Sequence, residues 1–280
     1  MNKFMKEKII DKENLQSNAY IDSNNLSKRV ALYEYTVPRY SVTEEVVRTL
    51  KIEGSESILD VGCGDGKLLI NLRIGAGHKG PLVGLDISEG IVNEAAKNAD
   101  SSNANIFFRK ADVQSLPFPD EHFDVVTACH MIYHVQDVDK ALKEMTRVLK
   151  PKGQFVLSAN SVKSKIEVLR PLKEKVAKKF NLTSFPDTTV RFNIESGEEL
   201  LQKYFKNLTL KIYKSDISVQ SSDPYLAYFT TLRSLWNEEF SNEKWSLILK
   251  FVDCELNEII LRNGKLQESN IFGIFSGNKN

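Results

Sequence analysis

From Ser57 onward, short apolar runs alternate with longer stretches in which apolar residues recur every three or four positions. The short runs read as buried strands and the periodic stretches as amphipathic helices. Residues 57–61 form the first strand, and 67–74 a helix with Leu68, Leu69 and Leu72 turned inward. Residues 81–86 form the second strand. Ser88 is placed to cap a helix whose apolar face is Ile91, Val92, Ala95, Ala96 and Ala99. Residues 105–109 and 123–128 are strands three and four. The clearest helix spans 137–149, where Val138, Ala141, Leu142, Met145, Val148 and Leu149 keep one face apolar. Pro151 and Gly153 end it, and 154–160 is strand five.

Beyond residue 160 the rhythm changes. Residues 162–180 are basic and helical in pattern. Ser196 with Glu199 forms a capping box that opens a helix through Phe205. Residues 208–218 alternate as a strand, 223–262 are mostly helical, and 271–275 close the sheet. Alternating strands and helices imply right-handed crossovers. The expected fold is therefore α/β, Rossmann-like and doubly wound, with a mostly parallel seven-stranded sheet and helical lid insertions. It divides into three parts. Residues 1–50 are an arm (1–25) and helices broken at Pro38. Residues 51–160 are a ligand-binding core. Residues 161–280 complete the sheet and add a lid over 161–190 and 222–262. Ligands of such sheets sit at the carboxyl ends of the strands, near the switch in strand order.

The residues after strand one are Asp60-Val61-Gly62-Cys63-Gly64-Asp65-Gly66. Glycines let the backbone turn tightly and approach a ligand without a Cβ clash. A dinucleotide site carries G-x-G-x-x-G, whereas this spacing is G-x-G-x-G. Asp60 would repel a pyrophosphate and attract an ammonium. Asp86 ends strand two and is placed to hold a ribose diol, a feature shared with NAD sites. Asp112, in Ala111-Asp112-Val113 after strand three, can accept a hydrogen bond from an adenine amino group. Ribose, adenine and an ammonium without phosphate describe S-adenosyl-L-methionine. Asp60 and Asp86 also have a plainer reading, as acids that cap backbone N–H groups, and Asp112 as an ordinary loop acid.

The segments ILDVGCGDG (58–66), LVGLDIS (82–88), ADVQSLPFPDEHFDVVTACH (111–130) and HVQDVDKALKEMTRVLKPKGQFVLS (134–158) resemble the class I S-adenosylmethionine-dependent methyltransferases. The group that includes the ubiquinone and menaquinone biosynthesis enzymes is especially similar. The resemblance covers roughly 100 residues and implies site roles. Asp60, Gly62 and Gly64 face the methionyl end of the cofactor. Asp86 takes the ribose hydroxyls and Ile87 packs on adenine. Asp112 and Val113 hold the adenine edge, and Cys129 contributes backbone contacts.

Other residues have two readings. His130 and His134, after strand four, could deprotonate an acceptor; in the plainer reading His134 braces its loop by hydrogen bonding and His130 packs beside the cofactor. Arg29 and Tyr33, one helical turn apart, either close over the cofactor carboxylate or form an ordinary surface pair. The stretch 163–179 holds seven basic residues and two acids, either a solvated helix face or a docking surface for an anionic acceptor. Tyr225, Tyr228, Phe229, Trp236, Phe240 and Trp245 form either the core of the lid or the wall of an acceptor pocket.

A formal net charge of +1 creates no global field for nucleic acid or anionic membrane. It favours a small-molecule acceptor over RNA docked on 163–179. An NAD-dependent oxidoreductase is the alternative in another class, and the loop spacing argues against it. Cys63, Cys129 and Cys254 are scattered and form neither a disulfide framework nor a metal pair. With no apolar signal core and no membrane span, a cytoplasmic location is expected.

Overall fold

The computed structural model describes residues 24–182, 185, 187–236 and 240–280. The arm expected over 1–25 lies outside the described residues except for its last two positions.

The described residues open with α1 (Asn24–Leu32), a 3₁₀ turn (Tyr33–Tyr35), β1 (Thr36–Val37) and α2 (Val42–Thr49). The α/β alternation then follows as β2 (Ile58–Val61), α3 (Lys67–Ile70), β3 (Leu82–Asp86), α4 (Glu89–Ser101), β4 (Phe107–Lys110), β5 (Phe123–Cys129), α5 (Val138–Val148) and β6 (Leu149–Asn160). The remainder is α6 (Leu169–Lys179), α7 (Gly197–Leu201), β7 (Phe205–Val219), α8 (Asp223–Thr230), α9 (Asn242–Asn263) and β8 (Leu266–Lys279).

One sheet of eight strands holds these together, in the order β1-β7-β8-β6-β5-β2-β3-β4. Strands β2 to β6 pair in parallel, and β8 runs antiparallel to both β6 and β7. The fold is thus the expected Rossmann-like, mostly parallel sheet. The eighth strand is the addition. Thr36 and Val37 pair with Ile217 and Asp216 on the edge of β7. Two residues are too few for an alternation to register, and they fall in a stretch that reads as helical.

Local signals worked where they were strong. The apolar stripe of α5 is buried at Val138, Ala141, Leu142, Met145 and Val148, and Asp137 caps it by accepting from Lys140 N. Ser88 caps α4 by accepting from Ile91 N. The helix expected over 67–74 is present, as α3 continued by a π turn (Asn71–Gly75), with Leu68, Leu69 and Leu72 buried. Two expectations fail. The helix expected over 162–180 begins only at Leu169, after a run of turns. The capping box at Ser196 does not form. Its side chain caps nothing within α7; instead Asn193 Oδ1 accepts from Glu195 N and Ser196 N. That helix ends at Leu201, and Phe205 belongs to β7.

The β7–β8 ribbon positions everything that follows. It pairs from Phe205↔Lys279 to Val219↔Leu266, whereas β6 covers β8 only from Asn278 to Phe272. The far end of the ribbon therefore projects past the carboxyl ends of the parallel strands. On it a second apolar core assembles from α1, α6, α8 and α9, including Leu32, Leu172, Val176, Tyr225, Phe229 and Trp245. Helix α6 has no cap of its own. Glu268 of β8 supplies one, accepting from Val168 N at 3.0 Å and Leu169 N at 2.7 Å. No helix among the described residues is long and apolar enough to cross a membrane.

Candidate active site

Strand β2 is buried along its whole length, and the chain leaves it through three glycines in the left-handed region. Gly62, Gly64 and Gly66 have φ of +66°, +54° and +81°. That backbone explains the G-x-G-x-G spacing, since side chains with a Cβ rarely adopt it. At Gly62 space adds a second constraint, because a Cβ would lie 2.6 Å from Met131 Cβ.

A carboxylate stands at the end of each of the first two parallel strands. Asp60 is almost fully buried (1 % exposed), and its Oδ1 accepts from Thr127 Oγ1 at 2.6 Å. Burial raises its pKa to about 7, with Asp86 and Asp65 adding to the rise. Asp86 accepts from Gly64 N at 3.3 Å and Ser88 N at 3.0 Å, so it ties the glycine loop to the end of β3. Its pKa is also raised by burial. Asp112 accepts from Gln114 N at 2.9 Å, and Gln114 Oε1 in turn accepts from Asp137 N. This links the loop after β4 to the start of α5.

The segment after β5 crosses the front of these loops. His130 takes φ +50°, and its N–H donates to Ser158. Residues 132–134 form a 3₁₀ turn, and Arg191 donates to His134 O at 3.1 Å. Burial lowers the pKa of His130 to about 4, assisted by Lys165. Burial likewise lowers that of His134 to about 3, with Arg29, Arg191 and His130 contributing. Both rings are neutral at physiological pH.

Asp60, Asp86, Asp112, His130 and His134 all border one cavity of about 560 Å³ that runs from the strand ends to the underside of the helical cap. The residues given cofactor or catalytic roles from the sequence lie on it: Asp60, Gly62, Gly64, Asp86, Ile87, Asp112, Val113, Cys129, Arg29, Tyr33 and His134. Arg29 also donates from Nε to Thr231 Oγ1 at 2.9 Å and from Nη2 to Thr231 O at 3.1 Å, so α1 is fastened to the end of α8. Of the six lid aromatics only Tyr228 reaches the cavity; Tyr225, Phe229, Trp236, Phe240 and Trp245 pack in the second core.

The basic stretch divides. Lys163, Lys175, Lys178 and Lys179 are exposed, whereas Lys165, Arg170 and Lys173 turn in to the cavity. Sequence periodicity hints at this only weakly. Lys173 follows Leu172 and precedes Val176, both buried, so it sits at the margin of the apolar stripe of α6.

The glycine cradle and the two buried carboxylates suit a cofactor with a cationic amino-acid end and a ribose. Asp60 is suited to the ammonium, because a buried acid held near half-protonation loses its proton when a cation arrives. S-adenosylmethionine affinity is accordingly expected to fall as pH drops below about 7, approaching tenfold per pH unit, with proton release on binding. Titration calorimetry in buffers of different ionisation enthalpy measures both. The ligand-free protein responds in the opposite sense. The folded-state pKa of about 7 lies above the ordinary value of 3.8, so Asp60 contributes stability at low pH that is lost as pH rises through 7.

Comparison with known proteins agrees with this picture. Residues 59–157 match the family described as a methyltransferase domain. Demethylmenaquinone methyltransferase of Staphylococcus epidermidis is 40% identical over 113 residues, covering 40% of this chain and 46% of that protein. The ubiquinone/menaquinone biosynthesis C-methyltransferase of Vibrio cholerae is 33% identical over 132 residues, covering 46% and 48%. The matched region thus spans about half the length of these relatives. Among solved structures, the YcgJ protein of Bacillus subtilis has a TM-score of 0.57 at 20% identity, covering 85% of this chain and 97% of that one. That likeness speaks for the fold. The resemblance to class I S-adenosylmethionine-dependent methyltransferases drawn from the motifs is borne out.

Proposed function

We propose that this chain, which carries a class I S-adenosylmethionine-dependent methyltransferase domain, methylates a small molecule held beneath its helical cap. The observation that carries this reading is the cavity that sheet and cap share. Its floor is the glycine cradle with Asp60 and Asp86, and its roof is the cap built on the β7–β8 ribbon. The cofactor supplies a methyl group on a sulfonium, already activated toward in-line displacement. The protein then has to align the acceptor and exclude water. A roof carried on the ribbon, with α1 fastened to it through Arg29 and Thr231, suits both tasks. RNA docking is less well supported, because three of the seven basic residues of 163–179 face inward.

Calorimetry tests the cofactor half. S-adenosylmethionine and its demethylated product should bind, and NAD should not. Binding of NAD alone would overturn the assignment. Labelled cofactor incubated with a metabolite extract, followed by mass spectrometry, tests the acceptor half; label confined to RNA would favour the other acceptor class.

The geometry favours His134 as a brace. Its carbonyl holds Arg191, its ring packs on Tyr133 at 4.7 Å, and its pKa near 3 makes it a feeble base. Asp137, the nearest acid in sequence, is occupied in capping α5. His134→Gln should therefore lower the melting temperature by several degrees and cost less than about tenfold in turnover. A loss of ~10²–10⁴-fold at unchanged stability would instead identify a general base.

A further inference from the structure

The cavity is electrically divided. Its floor is lined by Asp60, Asp65, Asp86 and Asp112, with Lys67 the one cation there among the described residues. The roof reverses the sign. Arg29, Lys165, Arg170 and Lys173 border it, with Asp187 as the interior acid. At the rim Arg39 and Glu34 face each other at 3.7 Å and roughly cancel. Arg170 pairs with Asp187. Glu268 stands behind the roof, its Oε1 occupied by Val168 N and Leu169 N, and burial raises its pKa to about 7.

These cations are held, not merely nearby. Lys165 donates to Ser164 Oγ and Asn270 Oδ1, both at 3.2 Å, and its ammonium lies 5.1 Å from the centre of the Tyr33 ring. Lys173 lies 5.5 Å from the centre of the Phe185 ring. The surroundings register their field. Burial lowers the Lys173 pKa, and Arg170 and Lys165 lower it further against the pull of Asp187 and Glu268. The neutrality of His130 has the same second cause, the charge of Lys165. Keeping several cations around a partly enclosed chamber is costly unless an anion shares it. The cofactor's one carboxylate would answer Arg29, while its ammonium and sulfonium belong with the acids of the floor, which leaves Lys165 and Lys173 to a second anion.

We propose that the roof is an oxyanion subsite, and that the methyl acceptor is a small molecule bearing a carboxylate or phosphate that Lys165 and Lys173 hold. This rests on the methyltransferase reading and deepens it. A neutral ring acceptor is the competing class, and its recognition would need an apolar roof.

The test is titration of the S-adenosylhomocysteine-bound protein with benzoate, phenyl phosphate and the neutral analogue benzamide. At least one anion should bind about tenfold or more tightly than benzamide, as expected for hydrogen bonds to a charged group. The tighter of the two anions tells carboxylate from phosphate. Lys173→Met, which keeps the aliphatic stem, and Lys165→Gln should each abolish most of that preference. S-adenosylhomocysteine affinity should stay within about twofold in both, since neither touches the floor, and that also reports that each variant is folded. Equal binding of benzamide and the anions, an anion preference that survives both substitutions, or no binding by any of the three overturns the proposal. Failure of the unmodified protein to bind S-adenosylhomocysteine would overturn the methyltransferase reading itself, a separate result.

Discussion

Asp86→Ala is expected to weaken S-adenosylmethionine binding by about 1.5–3 kcal/mol, roughly 10- to 150-fold, while the protein stays folded. The carboxylate stands at the end of β3 and binds the N–H groups of Gly64 and Ser88. Removing it releases the glycine loop from its neighbour and, if Asp86 holds the ribose hydroxyls as proposed, takes away that contact. The sheet tolerates the change, because the buried strand residue is Leu85 and the Asp86 side chain borders the cavity. Calorimetry with the demethylated cofactor measures the loss. Unchanged affinity would mean that the ribose is held elsewhere.

Gly62→Ala should have the larger structural effect. At φ +66° an L side chain costs about 1–2 kcal/mol, and the added methyl would overlap Met131 Cβ, which cannot swing away as a side-chain tip can. Overpacking adds about 1–3 kcal/mol. The combined cost of about 2–5 kcal/mol falls on the contact between the loop after β2 and the segment after β5, two walls of the same cavity. Cofactor affinity should drop by about 100-fold or more, with a lower melting temperature. Gly75→Ala is the control, because a Cβ there meets nothing within 4 Å and the backbone is not left-handed. If Gly62→Ala binds the cofactor normally, the loop is more adaptable than its packing indicates.

The cofactor half of this protein was legible because its constraints are local. A strand leaving into three left-handed residues calls for glycine at alternate positions, and Gly62, Gly64 and Gly66 record that in the chain. A carboxylate at a strand end follows from the strand's boundary, so Asp60 and Asp86 could be placed before any coordinates. The amphipathic period of α5 and the caps Ser88 and Asp137 are equally local. Where two local signals compete, the sequence misleads. Ser196 and Glu199 have the spacing of a capping box, but Asn193 Oδ1 accepts the Ser196 N–H that the Glu199 side chain would have taken.

The roof could not be read in this way, because the contacts that set its position join residues about a hundred or more positions apart, even though Arg170 and Lys173 also meet Asp187 and Phe185 nearby. Glu268 caps α6 from β8, Arg29 fastens α1 to Thr231, and β1 exists only because the overhanging edge of β7 offers it partners. Sequence periodicity shows that Lys165, Arg170 and Lys173 lie near an apolar stripe. Which charges face water and which face the cavity depends on how the ribbon aims the helices built on it. By itself the sequence determined the sheet, the glycine cradle and the acidic floor, because strand period, backbone handedness and capping act over a few residues. Only the tertiary structure decided the cationic roof, because burial of a charge is set by what packs over it, and here that packing comes from distant parts of the chain.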